Sequence, residues 1–132
     1  MKHLTLMILS LLSVLLFTLH WADEVSRGME PGTLAAAGGI AILVVWLFAA
    51  LIIRERAVGL VILSLASLMG TGVPLLHMSG AGLVGKSISV NSSGAFFWVW
   101  TNIALGAISA IALFLSVAGL VSLWRGRRRL SS

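Results

Sequence analysis

The side chains best suited to metal or proton chemistry fall in two places. His20, Asp23, Glu24, Arg27 and Glu30 share one short stretch, and His77 lies far beyond it. Three of the four carboxylates and two of the three histidines are gathered there. Imidazole nitrogens and carboxylate oxygens are ligands for divalent ions such as Zn²⁺, Cu²⁺ and Fe²⁺. His20, His77, Asp23 and Glu24 therefore form a candidate metal set, with Arg27 and Glu30 completing a polar cluster. Two histidines on separate helices also suit the axial positions of a b-type haem, and a proton relay is a third chemistry. The plainer reading carries more weight. Glu24 and Arg27 can pair at i,i+3, Glu30 suits the positive N-terminus of a following helix, and no spacing as specific as His-Glu-x-x-His is present.

Two other motifs invite a chemical reading. Gly80, Gly85, Lys86 and Ser87 satisfy the Walker A pattern letter for letter. That pattern cradles phosphate only between a buried strand and a helix. Here an apolar helix precedes it, and no strand ending in Asp follows, so no nucleotide is expected. Arg125, Arg127, Arg128 and Arg129 close the chain. They suit anionic lipid headgroups, and the tendency of basic residues to remain cytoplasmic explains them without nucleic acid. Asn91-Ser92-Ser93 is a glycosylation sequon, relevant only in a eukaryotic secretory setting.

The elements that position these groups are membrane helices. Of 132 residues, 59% are hydrophobic and 10% charged, and the mean hydropathy is +1.09. Soluble domains carry about 25% charged residues, and a chain of this length has too little interior to hide so much apolar surface. The absence of cysteine excludes disulfides and thiol chemistry. The expected fold is an all-α, integral membrane four-helix bundle in up-down-up-down order, one domain over 1–132. Its helices fall at about 4–27, 34–53, 57–78 and 96–124. The first is an uncleaved span rather than a signal peptide, because His20 stands where cleavage before Asp23 would need a small residue. Pro74 should kink the third helix, its missing donor compensated by Thr71 or a neighbouring helix. Residues 79–94 form an extracytoplasmic loop of about 16 residues, and 125–132 a basic cytoplasmic tail.

Orientation follows from charge. With both termini inside, Lys2, Arg54, Arg56 and the four terminal arginines are cytoplasmic, leaving only Arg27 and Lys86 outside. This pattern suits a bacterial cytoplasmic membrane, with Trp21, Trp98 and Trp124 as interfacial anchors. Helical phase puts Ser10, Ser13, Phe17, His20, Glu24 and Arg27 on one face of the first helix. Asn102, Gly106, Ser109, Ala112, Ser116 and Gly119 share a face of the fourth, and Gly59, Ala66, Gly70 and His77 a face of the third. Such small and weakly polar stripes mark close helix contact in lipid.

The favoured functional expectation is a non-enzymatic membrane protein that self-associates or serves as an accessory subunit. A metal- or haem-binding module at the outer ends of the first and third helices is the alternative, and a small transporter or channel a weaker one. Small multidrug resistance transporters also have four spans, but they carry a Glu deep in the first helix, where this chain has Ser10 and Ser13. Four-helix thiol oxidoreductases need paired cysteines. The chain resembles small four-span membrane proteins of bacteria in hydropathy alone, and that resemblance carries no residue-level function.

Overall fold

A computed structural model describes residues 2–26, 37–78 and 94–130. All its elements are helical: α1 (Lys2–Ser26), α2 (Ala37–Phe48) continuing into a π-helical turn at Ala49–Ile53, α3 (Ala57–Met78) and α4 (Ala95–Leu130). Three stretches, His3–Ser26, Ala57–His77 and Ala95–Gly126, are long and apolar enough to cross a membrane. Ala37–Ile53 is a shorter apolar helix. Its 17 residues lie at the lower limit for a span. The expected fourth span therefore has only this shorter counterpart, and residues 34–36 lie outside the described residues. So does the expected loop at 79–94, apart from Gly94.

The expectation for the C-terminus is corrected. Helix α4 does not stop at Trp124 but includes the arginines, giving 36 helical residues. Arginine is a good helix former, so the helix outlasts the hydrophobic run that suggested its end. Helix α3 passes through Pro74 as one α-helix. The Thr71 hydroxyl donates to the Ser67 carbonyl at 2.8 Å, so it does not serve the Gly70 carbonyl that Pro74 leaves without a donor.

The π turn leads into a tight hairpin, where Arg56 N–H donates to the Ile53 carbonyl at 2.9 Å. Arg54 donates back to the Leu51 carbonyl at 2.8 Å, satisfying one of the acceptors that every helix end exposes. The closest-packed pair is α3 with α4, followed by α1 with α4. This makes α4 the common partner of the other two long helices.

Two kinds of interior result. Toward the hairpin lies an apolar cluster of Leu6, Trp46, Ala49, Ala50, Leu60, Leu63, Ala66 and Ala112. Elsewhere between α1, α3 and α4 the interior is mixed: Val73 and Leu105 are buried beside the polar Ser10, Ser13, His20, Glu24, Ser67, Thr101, Asn102, Ser109 and Ser116. The lipid-facing surface is leucine, isoleucine, valine and phenylalanine. That inverts the usual soluble pattern, as expected when the solvent is itself apolar.

Close approach of α3 and α4 depends on small residues. A Cβ on Gly106 would stand 2.5 Å from Cγ of Pro74, so the proline ring occupies the space a side chain would need. A Cβ on Gly72, in the same helix as Pro74, would meet nothing within 4 Å. Gly106→Ala should destabilise the bundle by about 1–3 kcal/mol through overpacking. Gly72→Ala should be neutral or stabilise by up to about 1 kcal/mol through helix propensity. Denaturant titration of both variants in detergent, followed by circular dichroism, measures the contrast.

Candidate metal centre

Three helices supply the site. His20 and Glu24 are one turn apart on α1, so both project from one face, and both are buried at 2% and 5% exposure. His77 comes from the last turn of α3. Trp98 and Thr101 come from the first turns of α4. Gly94 sets that start: its φ of 84° is a conformation glycine adopts freely, and its carbonyl accepts from Trp98 N–H at 3.0 Å.

Nε2 of His20, Nε2 of His77 and Oε1 of Glu24 form a triangle with all three edges 3.4 Å. The centre of an equilateral triangle of that edge lies about 2.0 Å from each corner, and zinc binds imidazole nitrogen and carboxylate oxygen at about 2.0–2.2 Å. A tetrahedral ion with bonds of that length holds neighbouring ligand atoms about 3.4 Å apart. These three residues are the one group among the described residues able to converge three ligand atoms on an ion.

Thr101 contacts the far nitrogen of the His20 ring. Thr101 Oγ1 donates its single proton to the Phe97 carbonyl at 2.9 Å, with the Trp98 carbonyl at 3.1 Å. Its lone pairs then face His20 Nδ1 at 3.4 Å. A neutral His20 ring protonated at Nδ1 donates to that oxygen and presents its Nε2 lone pair to Glu24. Such a partner on the far nitrogen is the usual orienting contact of a metal-bound histidine. Oε1 of Glu24 is buried without a hydrogen bond of acceptable geometry. In the Nδ1-protonated tautomer two acceptor atoms face each other in a buried place, an arrangement that a cation between them stabilises.

Trp98 covers the rings, its centroid 5.6 Å from that of His20 and 5.3 Å from that of His77. The imidazoles meet edge to face, 5.0 Å apart at 72°. A haem needs its two axial histidines on opposite faces of a macrocycle, and a carboxylate oxygen close to both nitrogens leaves no room for one. The haem expectation does not fit this geometry.

Of the other expected members, Asp23 is half-buried and lies outside the triangle. It precedes Glu24 by one residue and so points about 100° away around the helix. Arg27, Glu30 and the Walker-like run 80–87 fall outside the described residues. Arg125 is exposed near the far end of α4, and the backbone of Arg127, Arg128 and Arg129 continues that helix. Sequence reasoning missed two members. Trp98 was expected at the lipid interface but packs on the imidazoles, and Thr101 went unremarked. Both continue the inward stripe of α4, in phase with Leu105 and Ser109.

Comparison with family models, curated proteins and solved structures finds no match to this chain. Its chemistry is argued from its own geometry.

Because Trp98 touches both imidazoles, a paramagnetic ion in the triangle should quench its fluorescence. Titrating Cu²⁺ into the wild type should lower emission, and Trp98→Phe should remove most of the change although four other tryptophans remain. An undiminished quench in Trp98→Phe would place the ion elsewhere.

Proposed function

We propose that this membrane-spanning protein binds a divalent transition-metal ion of the zinc class through His20, Glu24 and His77. The observation that carries this reading is the buried triangle, in which a carboxylate oxygen and two imidazole nitrogens converge with edges of 3.4 Å. Two neutral histidines and one carboxylate leave a single positive charge on a bound divalent ion. Three protein ligands also leave a fourth position for water or an exchanging ligand, as in zinc sites that exchange or activate what they bind. With both termini cytoplasmic, as the distribution of basic residues favours, the triangle lies at the extracytoplasmic end of the bundle. There it can take an ion from outside the cell, and exposed Arg125 near the far end of α4 suits the inner headgroups. We read the role as metal capture rather than catalysis.

Purified protein should bind one Co²⁺ per chain with the intense visible absorption of tetrahedral coordination, displaced by Zn²⁺. Loss of an outer partner of a metal ligand typically costs about 10- to 100-fold in affinity, and His20→Ala, His77→Ala and Glu24→Gln should each cost at least that. Asp23→Asn should change affinity little. Ligands must shed protons to bind, so binding should release protons and weaken as the pH falls. Elemental analysis and Co²⁺ titration that find no stoichiometric ion would overturn the assignment.

A further inference from the structure

Below the triangle buried polar groups recur for about half the depth of a membrane, with Leu105 and Val73 buried among them. Asn102 follows Thr101 on α4 and is 1% exposed. Neither its amide nitrogen nor its amide oxygen has a hydrogen-bond partner. One level deeper, Ser109 donates to Ser13 at 3.1 Å, joining α4 to α1. Deeper again, Ser10 and Ser67 are fully buried, and neither hydroxyl has a partner. The last polar rung is Ser64, which contacts Ser116 at 2.9 Å and the Leu60 carbonyl at 2.8 Å. From His20 to Ser10 this is ten residues of α1, about 15 Å, against a hydrocarbon thickness of about 30 Å.

Close helix packing explains the serines and glycines but not Asn102. A packing seam calls for small side chains, and asparagine is neither small nor satisfied here. Within a membrane, buried amide and hydroxyl groups left unpaired are costly, and buried water is the ligand that ordinarily satisfies such groups. The column ends at Leu6 and Leu60. The same two leucines line a cleft on the opposite side, together with His3, Gly119 and Ser122.

We propose that the column from Asn102 to Ser10 and Ser67 is hydrated and carries protons between the His20–Glu24–His77 triangle and mid-membrane, with Leu6 and Leu60 as the apolar partition that separates it from the cleft beyond. Water spans the gaps between hydroxyls, and the serine and asparagine groups donate and accept along it. The partition blocks conduction as apolar constrictions do, by excluding water. The inference does not depend on a metal occupying the triangle.

Two measurements test it. Asn91→Ser leaves Asn102 as the one asparagine in the chain, so [¹⁵N]asparagine and [¹⁵N]arginine labelling allows its side chain to be followed by water-edited solid-state NMR in bilayers. Magnetisation from water should reach the Asn102 amide as fast as it reaches the hairpin residues Arg54 and Arg56. Transfer that appears only by slow spin diffusion through the protein would overturn the hydrated column. In proteoliposomes loaded with a pH dye, Leu6→Ser combined with Leu60→Ser should speed collapse of a proton gradient by about tenfold or more, as opening an apolar gate does. Adding Asn102→Leu should reverse the gain. A hydrated Asn102 without accelerated collapse in the double variant would overturn the proton-carrying role. Both readouts are taken without added metal, so failure of the metal-binding reading does not decide either.

Discussion

A carboxylate oxygen and an imidazole lone pair repel each other, and a low-dielectric interior strengthens that repulsion. The bundle nevertheless holds Glu24 Oε1 and His20 Nε2 at 3.4 Å, with a second imidazole at the same distance from each. The surrounding structure is what makes the arrangement persist. Thr101 directs its own proton to the backbone of α4 and turns a hydroxyl oxygen toward His20 Nδ1, which favours the tautomer that bares Nε2. Trp98 walls the rings off. The close passage of α3 along α4, with Pro74 lying over Gly106, sets the height at which His77 arrives. A positive ion offsets the repulsion directly, since a buried charge is tolerable only when paired or coordinated.

The same reasoning links the triangle to the rest of the interior. In a soluble protein the apolar centre is surrounded by polar surface; here the polarity lies inside and apolar side chains face outward. Each buried serine needs a partner, and the chain provides some of them across helices: Ser13 with Ser109, Ser64 with Ser116. Where it provides none, at Ser10, Ser67 and Asn102, the groups lie in the region between the triangle and the apolar cluster. The two halves of the interior thus differ: buried hydroxyl and amide groups recur among Val73 and Leu105 on the triangle's side, and the cluster toward the hairpin is apolar.

Much of this was legible in the sequence because helical phase survives without any tertiary information. The spacing of Ser10, Ser13, His20 and Glu24 aims them inward on α1, and His77 comes to the same level because α3 runs parallel to α1, so that the C-terminal ends of both helices meet. Other features were hidden by competing signals. Trp98 near the end of an apolar run looks like an interfacial anchor, and only the packing of α4 on α1 and α3 turns it toward the imidazoles. Asp23 has the right chemistry for a ligand but the wrong helical angle, so composition overstated it. The end of α4 was misplaced because hydropathy marks where a helix leaves lipid, whereas propensity decides where it unwinds. The tautomer of His20 was beyond reach, since it depends on where one threonine hydroxyl sends its proton.

The length of α4 has a mechanical consequence. Its 36 residues make one uninterrupted rod of about 54 Å, against a hydrocarbon core of about 30 Å. Thr101 and Trp98 sit near one end of that rod and Arg125 near the other, 24 positions from Thr101, or about 36 Å. Rotating such a rod by about 5° around its arginine end carries Thr101 about 3 Å sideways, a distance comparable with a whole edge of the triangle. The contacts that Thr101 and Trp98 make with the imidazoles therefore depend on the inclination of α4, which its packing against α1 and α3 sets.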